Sequence, residues 1–482
     1  MSTLRTARHW INGKWVDSAR HGDSVNPATG EVVGHYADAG QEEAEQAVRA
    51  ATAAFHETTW AHDMEFRTKV LLEIAASFQR HERELADLTT LENGKTIWEA
   101  EFEVGFAKGN FTTAAALAQT TYGRVMEVEP GKHTMVVREP VGVAAVITPW
   151  NSPTALLARD LAPALAAGCT AVVKLPGQTP LLNEAISRVF EDVPSLPAGV
   201  VNVLTESGSE AAKWLVDSPD VPAIMFTGST PTGRAIGAAA AKHVKRVGLE
   251  LGGKTPHIVF DDADLDAALP VIEKSLTIFT GQFCITAGRL IVQRGVYGTV
   301  KQRLAERLAN VTVGPGADRS VDMGSLIDQA GVERVDRLVE EAIAAGAVPV
   351  VRGGPAREGD LAKGAFYRPT LLEVTDPALP IVHQEVFGPV QTIQVFDTEA
   401  EAIALANDSE YGLGASVWSS DVNRPLRVAR KVQAGMLWIN DWGQLPNQFE
   451  IGGYKQSGVG HANGPGGIDH FLEYKTITQK FA

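Results

Sequence analysis

Cysteine is almost missing from this chain. Two thiols, Cys169 and Cys284, in 482 residues leave no disulfide framework and point to a reducing compartment. Nor is there an apolar run long enough to cross a bilayer; residues 141–148 are far too short and read as a buried strand. Positive charge is in the minority, 43 Lys and Arg against 58 Asp and Glu, for a net charge of −15. That balance argues against a nucleic acid or an anionic membrane as partner. Met1-Ser2-Thr3-Leu4-Arg5 lacks the apolar core of a signal peptide. No internal repeat, low-complexity linker or metal site is evident. The expectation is a cytoplasmic enzyme acting on a small molecule.

What is present fits that expectation. Hydrophobic content of 44%, with 46 glycines and 25 prolines spread throughout, is ordinary for an α/β enzyme. The length exceeds what one core supports, so two or more domains are expected. Trp10-Ile11-Asn12-Gly13-Lys14-Trp15-Val16 reads as a hairpin about Asn-Gly, and 26–30 as a second turn before a strand at 31–33. Helical patterns cover 41–57, 64–91 and 97–120; in the first, Ala44, Val48, Ala51 and Phe55 share one face. A β-like segment over 122–139, broken at Pro130-Gly131, reads as a hairpin reaching away from the body. From Val141, apolar strands at 142–148, 170–174, 199–204 and 223–226 alternate with helices at 154–167, 181–190, 209–216 and 232–241. This rhythm predicts a parallel sheet with covering helices. A second alternating region follows Leu251, with helices near 265–280, 300–310 and 332–345 and strands near 290–293, 348–351 and 390–395. The tail, 471–481, reads as a strand.

The chemistry centres on Phe279-Thr280-Gly281-Gln282-Phe283-Cys284-Ile285-Thr286-Ala287-Gly288-Arg289. An isolated cysteine is usually a small buried hydrophobe. Glycines on both sides favour a nucleophile instead, because they let a substrate approach the backbone. Upstream, Glu250 ends the apolar pattern Val247-Gly248-Leu249 and meets Gly252-Gly253. A carboxylate at a strand end before a glycine turn can face a cleft and serve a thiol as base. Lys254 is either a solvated neighbour or a charge partner. Phe226-Thr227-Gly228-Ser229-Thr230-Pro231-Thr232-Gly233 runs from strand into helix, where backbone N–H groups can hold phosphate. It is not the G-x-G-x-x-G fingerprint, and a plain strand-to-helix turn is the alternative. In Pro149-Trp150-Asn151-Ser152-Pro153, the Asn151 amide is either an oxyanion donor or part of a helix entry.

Together these landmarks resemble the aldehyde dehydrogenase superfamily over nearly the whole length. The set is Pro149-Trp150-Asn151, Lys174, Phe226-Thr227-Gly228-Ser229, Glu250-Leu251-Gly252-Gly253-Lys254, Gly281-Gln282-x-Cys284, Glu385-x-Phe387-Gly388-Pro389 and Lys455-Gln456-Ser457-Gly458. The resemblance implies two Rossmann-like parallel-sheet domains and a small β element for oligomerisation. Residues 1–121 and 140–250 would bind the nucleotide and 251–436 would form the catalytic domain. Residues 122–139 and 460–482 would bridge subunits of a homodimer or homotetramer, and 437–459 would return past the active site. It further implies that Cys284 attacks an aldehyde, that Asn151 and the Cys284 N–H hold the oxyanion, and that NAD or NADP takes the hydride. Glu250 would then activate the water that hydrolyses the thioester. Cofactor contacts carried over are Trp150, Lys174, Gly228, Ser229, Leu251, Glu385 and Phe387, with a structural role as the alternative for Trp150.

Three departures from the family pattern matter. Gly177 stands where members favouring NAD commonly carry a glutamate, so NADP should be tolerated. The stretch Ala158-Arg159-Asp160-Leu161 lacks the family's usual lysine, so Arg159 is expected to form a structural ion pair, to meet Glu473 or to face the substrate. Ile451 replaces an aromatic residue that often lines the substrate tunnel. Phe111, Arg159, Phe283, Ile285, Leu445, Phe449 and Ile451 are the candidate walls, or equally core. That mixture implies an apolar tunnel for a medium or bulky aldehyde, aromatic ones included.

Overall fold

The computed structural model describes residues 4–120 and 122–481. Its first sheet has eight strands, in the order Gly458–Val459, Arg246–Glu250, Ala223–Thr227, Val143–Ile147, Thr170–Pro176, Val201–Glu206, His9–Ile11 and Lys14–Val16. The five central strands are parallel. Helices on both faces leave them no solvent side, which is why Val143–Ile147 and Ala223–Thr227 are wholly buried and almost wholly apolar. After Val143–Ile147 the chain adds strands outward on one side, then returns to place Ala223–Thr227 on the other. Such a reversal opens a crevice at the carboxyl ends of the two strands. Here those ends carry Pro149-Trp150-Asn151 and Thr227-Gly228-Ser229.

A second sheet of seven strands runs Val348–Val351, Thr370–Glu373, Val390–Phe396, Arg289–Gln293, Pro256–Val259, Gly414–Trp418 and Met436–Ile439. It is parallel except for its first edge strand. The chain is therefore mixed α/β with two parallel-sheet bodies. A separate antiparallel sheet joins Arg124–Glu129, Lys132–Pro140 and the tail strand Leu472–Lys480.

Local signals held well where turn chemistry was strong. Asn12 and Gly13 both take positive φ (52° and 70°), as a two-residue hairpin turn of this kind requires. The pattern over 64–91 is instead two helices, Met64–Arg80 and Glu82–Asn93. His81 leaves helical geometry between them, its ring bonded to Asp192 at 2.7 Å, a distant contact that no local breaker announces. In helix Gln41–Glu57, Ala54 is buried while Phe55 is only half-buried, so the core face is rotated from the expected one. The helix expected to reach 280 stops at Thr277, because Phe279 and Thr280 adopt left-handed φ of 51° and 55°.

Candidate active site

That left-handed run, continued by Gly281 at φ 71°, swings the chain so that Cys284 faces the crevice. A Cβ on Gly281 would lie 2.3 Å from the Gly388 carbonyl carbon, so only glycine fits there. Cys284 stands in the wall shared by two cavities, one with a mixed lining and one almost wholly apolar. Asn151 donates from Nδ2 to the Gln282 carbonyl at 3.0 Å, which fixes its amide beside the cysteine segment. Burial pushes the Cys284 thiol up to about 12, opposed by the Arg159 charge and reinforced by Glu385 and Glu250. The resting sulfur is a thiol and needs a base.

Glu250 closes strand Arg246–Glu250, where its carbonyl accepts from the Gly228 N–H at 3.1 Å. Its side chain is 3% exposed, and Oε1 has no hydrogen-bond partner among the described residues. Burial raises the carboxyl to about 8; Arg159 pulls it down and Asp160 pushes it further up. A buried carboxyl left unpaired and poised near neutral pH is costly for folding and useful as a general base.

The cavity of mixed lining, about 320 Å³, is bounded by Trp150, Gly228, Ser229, Leu251, Glu385 and Phe387 together with the catalytic candidates. Ser229 caps helix Thr230–Ala240, accepting from the Thr232 N–H, which leaves the positive end of the helix beside the cleft. Glu385 accepts from the Gly253 N–H at 3.1 Å, and burial raises it to about 7. Phe387, at φ 53°, sets its ring edge-on to Trp150 at 5.5 Å. Arg334, which the motif reading missed, holds that loop by donating to the Val386 and Phe387 carbonyls. Lys174 lies on the neighbouring strand and Gly177 just after it, and neither lines this cavity. Burial lowers the Lys174 amine against the pull of Glu206 and Asp38. A Cβ on Gly177 would lie 2.7 Å from Ser207 Cα.

Of the seven wall candidates, Arg159, Phe283, Ile285, Leu445 and Ile451 line the apolar cavity. Two do not. Phe111 is fully buried and stacks on Phe78 at 5.4 Å, because its face of helix Ile97–Thr120 turns into the core of the first sheet. Phe449 is 66% exposed and lies off the cavity wall. Phe102 and Phe106, one helical turn apart, line the cavity instead; their i, i+4 spacing was the signal available. Trp442 joins them, donating to the Ile285 carbonyl at 3.1 Å and lying edge-on to Phe283 at 6.1 Å.

Arg159 pairs with its own neighbour. Nε and Nη2 donate to the two Asp160 carboxylate oxygens at 2.7 and 3.0 Å, and Nη2 also donates to Thr227 Oγ1. The expected alternative partner, Glu473, is taken by Arg246 at 2.7 Å, at the far end of the strand that carries Glu250. Adjacency decides it: Asp160 offers both oxygens to one guanidinium edge inside the core.

A buried thiol, an amide donor and a poised carboxyl thus meet where the larger cavity joins the apolar one. Residues 15–477 match the sequence model of the aldehyde dehydrogenase family, and the chain belongs to that family. Among its relatives is the betaine aldehyde dehydrogenase of Bacillus subtilis, 35% identical over 473 residues, 97% of this chain and 96% of that one. Crystal structures of betaine aldehyde dehydrogenase from Staphylococcus aureus superpose closely. One in complex with NAD+ has a TM-score of 0.96 at 37% identity, covering 98% of this chain and 95% of the other. An apo variant of that enzyme scores the same, with the same identity and coverage.

Proposed function

We propose that this aldehyde dehydrogenase oxidises a medium-sized or bulky apolar aldehyde, aromatic ones included, to its acid. Cys284 Sγ bonds to the carbonyl carbon as its proton passes to the Glu250 carboxylate, which releases it to solvent before deacylation. The oxyanion so formed accepts from the Asn151 amide and the Cys284 N–H. The dinucleotide would lie in the cleft of Ser229, Leu251, Glu385 and Phe387, with Lys174 toward its adenosine ribose. The capped helix end and open glycine turn suit its pyrophosphate. When bound, its nicotinamide supplies the hydride acceptor. The carbonyl carbon, having lost hydride, remains on Cys284 as a thioester. Glu250, with an unpaired oxygen in the same wall, takes a proton from the water that attacks it, and the acid departs.

The substrate class rests on one observation above all. The cavity beyond Cys284 is walled by Phe106, Phe283, Ile285, Trp442 and Ile451, with a guanidinium, Arg159, among them. Aromatic walls can hold a quaternary ammonium, which is the reading the betaine aldehyde dehydrogenases suggest. Arg159 is paired with Asp160, so its charge does not decide between the readings, and the predominance of carbon in these walls carries the apolar one. Steady-state kinetics with benzaldehyde, a medium aliphatic aldehyde and betaine aldehyde decide between them. A kcat/KM for betaine aldehyde above both others would sink the apolar reading.

For the cofactor, Gly177 brings no carboxylate of its own toward the adenosine ribose, and Ser207 leaves no room for one without a shift. NADP should therefore serve as well as NAD within about tenfold, a margin of about 1.4 kcal/mol. Strict dependence on NAD in the same assay would refute this. We take residues 1–121 and 140–250 as the nucleotide-binding domain, 251–436 as the catalytic domain, and 437–459 as the return past the site. Residues 122–139 and 460–482 would bridge subunits of a homodimer or homotetramer in the cytoplasm.

A further inference from the structure

Arg159 has an unused end. Its Nε and Nη2 edge is spent on Asp160 and Thr227. Nη1, on the opposite side of the planar group, makes no hydrogen bond among the described residues, and it is not a sealed orphan of the core. The residue is only 4% exposed, and it lines the apolar cavity. Nη1 therefore offers two N–H donors to a space whose other walls are mainly carbon. The remaining polar groups there are engaged or committed to the chemistry. Glu103 Oε1 accepts from the Thr154 and Ala155 N–H groups and Oε2 from Lys95. Thr227 is bonded to Arg159 and Asp160. Glu250 and Cys284 are the base and the nucleophile. Ser152 accepts from Lys95 at 2.9 Å and lies seven residues, two helical turns or about 10 Å, from Arg159 along the same helix entry.

We propose that Arg159 Nη1 is a specificity-determining contact, donating to an uncharged oxygen carried on the apolar body of the aldehyde. A phenolic hydroxyl, a methoxy or a ring carbonyl oxygen would serve. This rests on the apolar-aldehyde reading given above. A carboxylate on the substrate is disfavoured, because Asp160 already neutralises the guanidinium and Glu103 and Glu250 face the same space. An apolar substrate leaves Nη1 buried and unpaired on binding, whereas one with a well-placed oxygen satisfies it. Discrimination of this kind arises from buried polar groups that only one congener can pair.

The test compares kcat/KM for shape-matched aldehydes in the full-length enzyme: benzaldehydes bearing hydroxyl or methoxy against their methyl-substituted counterparts, and a carboxylate-bearing congener. Wild type should favour the best oxygenated member of the set over its methyl counterpart by about tenfold or more, the range expected for a hydrogen bond to a charged group. Two variants remove the donor without stranding Asp160. Arg159→Met with Asp160→Asn replaces the pair by neutral groups. Arg159→Lys keeps a cation for Asp160 but has no second planar edge to offer. In both, the ratio should collapse toward one, a readout that a purely structural role of the pair does not move. An unchanged ratio in either variant, no oxygen preference in wild type, or a preference for the carboxylate congener each overturns the assignment. Poor turnover of all benzaldehydes, with efficient oxidation of betaine aldehyde, would instead mean that the apolar-cavity reading itself had failed.

Discussion

Replacing Glu250 by glutamine gives the sharpest test of the site, because its environment predicts both a rate and a pH dependence. The carboxyl is buried with one oxygen unpaired, and it titrates near 8 instead of its ordinary 4.5. A base acts as the carboxylate, so a raised value makes deacylation faster as pH rises. At pH 7 about one tenth of the enzyme carries the active form. Where deacylation limits turnover, kcat should climb about ninefold from pH 6 to 7 and about fivefold from 7 to 8, then level off. Glu250→Gln is nearly isosteric, so the cavity should keep its shape while the base is lost, at a cost of roughly 10²–10⁴ in deacylation. Stopped-flow absorbance of the reduced nicotinamide should show a burst near one equivalent per site, followed by a slow steady state without the rise toward pH 8. Steady-state turnover like wild type would refute the assignment. A wild-type midpoint at the ordinary carboxylate value would refute the argument from burial.

Asn151→Ala removes the side-chain donor aimed at the cysteine segment and should lower kcat by about 10²–10³, measured under saturating aldehyde and cofactor. Cys284→Ala should abolish dehydrogenation and the burst together, while binding of the reduced cofactor, followed by fluorescence, survives. Phe111→Ala should cost about 3–5 kcal/mol in denaturant unfolding and leave the ranking of aldehydes as it was. Phe449→Ala, at an exposed position, should shift stability by less than about 0.5 kcal/mol.

The landmarks of the family were legible because each is local. A glycine turn at the end of a strand, as at Gly252-Gly253 after Glu250, or at the entry to a helix, as at Gly228-Ser229, is written into consecutive residues. Alternating apolar strands and amphipathic helices likewise announced two parallel sheets, since a strand buried on both faces must be apolar throughout. Less legible were features that depend on a partner far along the chain. His81, where one helix gives way to the next, bonds Asp192, and Arg334 reaches fifty-odd residues on to hold the loop of Glu385 and Phe387.

From the sequence by itself came the family, a candidate nucleophile and the residues expected to serve it, because short contiguous motifs specify backbone turns and the groups placed on them. The tertiary structure decided which aromatic residues line the apolar cavity and which carboxylate Arg159 pairs with. Phe111 and Phe106 lie on one helix and look alike in sequence; only the packing of that helix sends the first into the core and the second into the cavity. Arg159 had several possible partners in the chain, and the carboxylate beside it claimed one edge of its guanidinium. Which atoms of a buried side chain stay free is settled by the neighbours that folding brings to it.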